Sequence, residues 1–181
     1  MQRLQRPVPS RTPFVELRGS ALLKAPLRIS GLYVRPDAGT LVREVRAPYA
    51  ETTTIRAGEV AIRRGGSTRR FPLARAPELA GLQAGFGALL AGDGARLREH
   101  FTVSSQGSRA QWTLRLVPAD PALAARLRDI VLYGHGAELR CIETRPVEGD
   151  MQRTLLAGTA QAAAGVDAAA ALTALCHGDA R

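Results

Sequence analysis

Apolar and polar residues alternate along most of this chain, in short runs broken by glycine and proline. That is the pattern of β-strands joined by tight turns. Phe14-Val15-Glu16-Leu17-Arg18 is the first run. Leu27 to Val34 follows, with Leu27, Ile29 and Tyr33 on one face and Arg28, Ser30 and Leu32 on the other. Pro36-Asp37-Ala38-Gly39 signals a turn. Thr40 to Arg46 reads as the next strand, with Leu41 and Val45 on the same face as Arg43. Glu51 to Arg56, Glu59 to Arg64 and Thr68 to Leu73 continue the series, turned at Ala57-Gly58 and at the hairpin tip Gly65-Gly66.

The period then changes. Between Pro77 and Ala91, Leu79, Leu82, Phe86, Leu89 and Leu90 recur at helical spacing, with proline near the start and Gly92 at the end. Gly81, Gly85 and Gly87 weaken this helix by about 1 kcal/mol each relative to alanine, so it needs a surface to dock on. A shorter helix is expected over Ala95 to His100, capped by Asp93. Strands resume at Phe101 to Ser105 and at Ala110 to Val117, where Trp112, Leu114 and Leu116 alternate against Gln111, Thr113 and Arg115. Asp120 to Ala125 reads as a helical turn. Arg128 to Tyr133 and Glu138 to Arg145 form a hairpin through Gly134-His135-Gly136, and Thr154 to Ala157 closes the series. From Ala160 the chain turns alanine-rich. Ala168 to Leu175 suits a helix but offers little to bury, which predicts a loosely held tail. The pattern predicts a mainly β protein with some α, an antiparallel sheet of about ten or eleven strands curved around a helix.

Length and composition narrow the class. The chain has 181 residues, 45% hydrophobic and 23% charged, which suits one globular domain and argues against wholesale disorder. No window approaches the ~18 consecutive apolar residues of a membrane-spanning helix. The net charge is +9, almost entirely from arginine, since Lys24 is the only lysine. Together with abundant alanine and no asparagine, that looks like GC-rich coding bias. The charge still favours anionic surfaces. Aromatic residues at 4% are too few for a base-stacking platform, and no nucleic-acid partner is expected. Met1 to Pro13 carries arginines and prolines but no apolar stretch, so it does not read as a signal peptide. The chain is then cytosolic, or a form without its leader.

Candidate chemistry is sparse. There is no glycine-rich phosphate loop, no G-x-S-x-G and no H-E-x-x-H. His100, His135 and His177 lie far apart. His135 and Cys141 share a predicted hairpin and read as a loop histidine and a core cysteine. No catalytic residue, metal site or cofactor is expected. Cys141 and Cys176 can pair in an oxidising compartment if their geometry permits. Arg63, Arg64, Arg69 and Arg70 flank the hairpin tip, either as a solvated loop or as a contact for lipid head groups or an acidic partner. The alternation turns Tyr33, Leu41, Val45, Trp112, Leu114 and Leu116 towards the helix, whose Leu79, Leu82, Phe86 and Leu90 would cover the mouth of the sheet. Trp112 is expected to be mostly buried, with its indole N–H bonded or at the rim. Such an interior is a plain core if the helix seals it, and a pocket for an apolar ligand if it does not.

The run Phe14-Val15-Glu16-Leu17-Arg18, then Ala25-Pro26-Leu27-Arg28-Ile29-Ser30-Gly31-Leu32-Tyr33, resembles the opening of LolA-like proteins. These are related to the periplasmic outer-membrane lipoprotein carrier. The resemblance continues through Arg35-Pro36, Ala47-Pro48, Pro77-Glu78-Leu79, Leu89-Leu90-Ala91-Gly92-Asp93 and Trp112-Thr113-Leu114-Arg115-Leu116-Val117-Pro118, and then through Ile130, Gly134 and Gly149-Asp150. It spans Phe14 to Gly158 and is nearest to the divergent branch often encoded beside polyene pigment and lipid biosynthesis genes.

The resemblance implies an incomplete antiparallel β-barrel of about eleven strands wrapped around a helical lid. It implies an apolar cavity that shields acyl chains of a lipid, a lipoprotein or a polyene-lipid conjugate on the way through the periplasm to the outer membrane. The expected protein is a monomer in transient contact with an inner-membrane donor and an outer-membrane acceptor. Arg35-Pro36 matches the arginine-proline pair implicated in keeping the carrier's lid closed, with Arg43 as a competitor for that gating role. Family members carry a leader and an N-terminal helix, so residues 1–13 are expected to be the truncated end of such a helix. Residues 14–158 would then form the barrel and 159–181 the alanine-rich tail. Two other functions suit the same scaffold: an envelope sensor or interaction module, and an enzyme, since one relative of the fold acts in violacein pigment biosynthesis.

Overall fold

A computed structural model describes residues 7–19, 26–75 and 94–178. The described strands are β1 (Ser10–Arg18), β2 (Leu27–Arg35), β3 (Thr40–Ala47), β4 (Glu51–Arg56), β5 (Glu59–Arg64), β6 (Ser67–Pro72), β7 (Phe101–Gly107), β8 (Trp112–Pro118), β9 (Leu127–His135), β10 (Glu138–Pro146) and β11 (Gln152–Leu156). The described α-helices are α1 (Gly94–His100), α2 (Pro121–Ala124), α3 (Ala157–Ala162) and α4 (Ala169–His177). The segment between Pro77 and Ala91, with Leu79, Leu82, Phe86 and Leu90, lies outside the described residues, as does Asp93.

All eleven strands join one antiparallel sheet, ordered β6-β5-β4-β3-β2-β1-β11-β10-β9-β8-β7. Two meanders, β1 to β6 and β7 to β11, are sewn together where β1 pairs with β11 from Phe14↔Leu156 to Arg18↔Gln152. The sheet does not close. It is an open barrel with β6 and β7 as its edges.

Local chemistry sets the turns. Asp37 accepts bonds from the Gly39 N–H at 2.9 Å and the Thr40 hydroxyl at 3.0 Å, folding the β2–β3 link. Asp120 caps α2 by accepting from the Ala122 N–H at 2.7 Å, with Pro121 opening the helix. Two strand starts differ from the sequence pattern. The first strand begins at Ser10, four residues before Phe14, and includes Pro13. Pro13 falls just beyond the last β11 pairing at Phe14, where an edge tolerates a residue without an N–H. β8 begins at Trp112, not Ala110, because Ser108 and Gln111 close a turn ahead of it.

Each face of the sheet has its own apolar cluster. The inner cluster draws Phe14, Ile29 and Leu41 from one meander and Leu116, Leu132 and Ile142 from the other. The outer cluster packs Val15, Cys141 and Leu155 against Ala160, Leu172 and Cys176 from the chain's end. This corrects the expected loose tail. Leu172 and Cys176 stand four residues apart on one face of α4, and each is only 1% exposed. A Cys141–Cys176 disulfide fixes α4 to β10.

Candidate functional site

The inner face is assembled by register. Tyr33 on β2 lies opposite Arg43 on β3, and Val45 lies opposite Gly31. Leu41 lies opposite Ile55. In the other meander, Leu114 faces Leu132 and Leu116 faces Ile130. Side chains two residues apart share a face, so Tyr33, Leu41, Val45, Trp112, Leu114 and Leu116 all line the inner side. Tyr33, Leu41, Val45 and Leu116 are buried, while Trp112 and Leu114 are partly buried against the same cluster.

Trp112 opens β8, near the edge of the sheet, and is partly buried against the inner cluster. Its indole lies flat on Gly134, the residue directly across on β9, and a Cβ there would overlap the ring. The indole N–H donates to the Gly136 carbonyl at 3.0 Å. Gly134 reads in sequence as a turn residue. In the fold it is a seat for the tryptophan.

A polar group sits inside this apolar wall. Glu16 on β1 is buried on the same face as Phe14 and accepts from Arg18 at 2.7 Å and Arg43 at 3.0 Å. The Arg43 guanidinium lies 4.9 Å from the centre of the Phe14 ring and also bonds the Tyr33 hydroxyl. Burial pushes the Tyr33 hydroxyl up to about 12, against the pull of Arg43. For Arg43, burial works to lower the pKa, but Glu16 and Tyr33 outweigh it and hold the guanidinium firmly charged. Arg35 ends β2 on the Tyr33 face and is 6% exposed, which lowers its pKa by desolvation. Both candidate gating arginines therefore lie on the inner side. Sequence periodicity put Arg43 there but gave no sign of its partner, because Glu16 arrives from a strand two places away.

The outer face carries a second buried acid that the sequence reading missed. Glu143 on β10 receives Arg153 at 2.8 Å, the Tyr133 hydroxyl at 3.1 Å and Arg145 at 3.3 Å. His177 at the end of α4 approaches it at 3.0 Å. Burial would raise the Glu143 carboxyl, yet its bonds to Arg153 and His177 hold it below the usual range. Burial and the adjacent Glu143 push the Tyr133 hydroxyl up to about 12. Glu143, Cys176 and His177 offer ligand atoms within 4.8 Å of one another. Cys176 is already bonded to Cys141 and Glu143 is already paired with arginine, so the group serves to hold α4 on the sheet. His135 and Cys141 do not meet: His135 is exposed beside Glu138 at the hairpin end, while Cys141 lies opposite Tyr133.

The four arginines of the β5–β6 hairpin are all exposed and divide between its faces. Ile62 pairs with Arg69 and Arg64 with Ser67, so Arg64 and Arg69 share the face of buried Val60. Arg63 and Arg70 take the opposite face. Arg64 stacks over Tyr49, 4.2 Å from the ring centre.

Comparison with known proteins follows the same lines. The family described as "Outer membrane lipoprotein carrier protein LolA-like" matches residues 1–180. A search of curated proteins finds no match. Among solved structures, a LolA superfamily protein from Nitrosomonas europaea is similar at 9% identity, over 86% of each chain, with a TM-score of 0.42. LprF from Mycobacterium bovis is similar at 14% identity over 83% of this chain and 85% of that one, with a TM-score of 0.34. The lipoprotein LppX from Mycobacterium tuberculosis is similar at 8% identity over 83% and 86%, with a TM-score of 0.35.

Proposed function

This chain belongs to the LolA-like family of outer membrane lipoprotein carrier proteins, and from that membership we propose that it is a non-enzymatic periplasmic carrier. Its cargo is an acyl chain of a lipid, a lipoprotein or a polyene-lipid conjugate, held against the inner face of the open barrel for delivery to the outer membrane. The observation that carries this reading is the apolar cluster on the inner face, drawn from both meanders of a sheet that does not close. Apolar burial supplies the affinity, at about 0.8 kcal/mol per methylene. A twelve-carbon chain thus reaches roughly 10 kcal/mol gross before ordering costs. Release requires that binding stay below that ceiling.

Tyr33, Leu41, Val45, Trp112, Leu114 and Leu116 would contact the acyl chain, with Leu79, Leu82, Phe86 and Leu90 assigned the lid by their spacing in sequence. Arg35 and Arg43 would act as the gate. Such buried guanidiniums present several donors to an incoming lid or head group, and each charge-assisted bond is worth about 1–3 kcal/mol. The carrier would work as a monomer between an inner-membrane donor and an outer-membrane acceptor.

Native mass spectrometry of the purified chain, with lipid extraction, tests the reading. A copurifying amphiphile, displaced by fluorescent fatty-acyl probes and lost in Leu114→Arg, is the expected result. Repeated absence of any amphiphile, together with no probe binding, overturns it. In a transfer assay from loaded protein to acceptor membranes, Arg35→Leu should load normally and release poorly.

A further inference from the structure

The β5–β6 hairpin ends the sheet, and its tip stands clear of the other described residues. Gly65 and Gly66 have φ of 53° and 79°, the left-handed pair that a two-residue hairpin turn requires. Among the described residues, nothing lies within 4 Å of where a Cβ would project at either glycine. β6 is an edge strand, and Ser67 to Arg70 are exposed in succession.

Four guanidiniums surround this tip, and little among the described residues neutralises them. Arg64 approaches Glu51 at 3.9 Å and Arg70 approaches Glu59 at 3.9 Å, each with an arginine side chain at least 60% exposed. Pairs of that kind contribute next to nothing and leave the cation available. Among the described residues, Arg63 and Arg69 have no acidic partner.

The two-faced arrangement selects the kind of surface. A folded acidic protein would meet one face of the hairpin and leave the other pair of arginines in water. A prong with cations on both faces is satisfied on all sides only when it sinks its tip into a layer of anions. The inner face of the prong, through Val60 and Arg64 stacked on Tyr49, is also continuous with the apolar inner face of the barrel.

We propose that the Arg63, Arg64, Arg69 and Arg70 hairpin docks this protein on the surface of an anionic phospholipid bilayer. Docking there would place the open edge of the barrel against the source or destination of its cargo. This second part rests on the carrier reading, whereas the docking itself does not.

Co-sedimentation with vesicles tests it, using the full chain. The protein should bind vesicles with about one third phosphatidylglycerol and ignore pure phosphatidylcholine, and rising salt should release it. A variant with all four arginines changed to glutamine should lose at least about tenfold in partitioning. A control variant changes four exposed arginines elsewhere, Arg46, Arg98, Arg109 and Arg128, and should keep most of the binding. The proposal is overturned if wild type ignores anionic vesicles, if the hairpin variant binds undiminished, or if the control loses as much. Binding to a soluble polyglutamate but not to anionic vesicles also overturns it, in favour of an acidic protein partner. Fatty-acyl probe binding by the hairpin variant reads the carrier function separately, so the two ideas can fail independently.

Discussion

The Arg43 guanidinium and the Glu16 carboxylate meet at 3.0 Å on the inner face, with 13% and 6% of their side chains exposed. Arg18 also reaches Glu16, so the acid has two cations and Arg43 has one acid. Removing one partner of a buried pair leaves a charge without compensation, a loss of about 3–5 kcal/mol. Arg43→Leu should fall at or below the lower end, because Arg18 remains on Glu16. Glu16→Gln should cost more, because it leaves two cations together. The double replacement with apolar residues should recover most of the loss. Urea unfolding of the singles and the double measures the coupling. Additive losses would show that the pair is not a unit.

Gly134 and Trp112 make the second prediction. The indole occupies the space that a methyl group at position 134 would need, so Gly134→Ala must displace the ring and break its bond to the Gly136 carbonyl. Overpacking of this kind costs about 1–3 kcal/mol. Trp112 is the single tryptophan, so its emission reports on the site directly. Gly134→Ala should red-shift the emission and lower the unfolding midpoint, and Trp112→Leu in the same chain should relieve most of the cost. Unchanged emission would mean that the ring does not rest on Gly134.

Much of this fold is legible in sequence, for a local reason. Period-two alternation and Gly or Pro turns occur within a few residues of one another, so Thr40 to Arg46 and Glu59 to Arg64 are recognisable without the rest of the chain. What they pair with is harder. The β1–β11 seam joins Phe14 to Leu156, and no local pattern encodes that distance. The polar site suffers most. Alternation puts Glu16 beside Phe14 and Arg43 beside Leu41, yet nothing in either run says that the two charges meet. The disulfide is similar: Cys141 and Cys176 are separated by 35 residues, and only the docking of α4 brings them together. The alanine-rich composition that suggested a loose tail lets α3 and the turn after it pack closely on the sheet, as buried Ala160 and Ala163 illustrate, while Leu172 and Cys176 seat α4.

The cross-link yields the third prediction. Closing a loop of 35 residues restricts the unfolded chain and adds about 2–4 kcal/mol to stability in the chain-entropy view. Reduced protein, or the Cys141→Ala/Cys176→Ala variant, should therefore unfold at clearly lower urea. Leu172 should become exposed early, so hydrogen exchange over Ala169–His177 should quicken more than exchange in β2 and β3. Equal protection of α4 with and without the bond would show that Glu143, His177 and packing hold the helix unaided.

Those side chains give the last prediction, which concerns acid. Glu143 is 1% exposed and is held below its ordinary pKa of about 4.5, with its bonds to Arg153 and His177 overcoming the opposing effect of burial. A carboxylate whose folded pKa is depressed binds protons more readily in the unfolded chain. Its stabilising contribution is complete above the unfolded pKa, and it is lost as the pH falls towards the lower folded value. Wild-type stability should hold steady from neutral pH down to roughly 5 and then drop through the carboxylate range. Glu143→Gln should be less stable at neutral pH, where the charged bonds to Arg153 and Arg145 are missing, and should show a shallower decline below pH ~4.5. Urea midpoints across that range make the comparison. Parallel curves for wild type and Glu143→Gln would mean that Glu143 does not govern the acid limb.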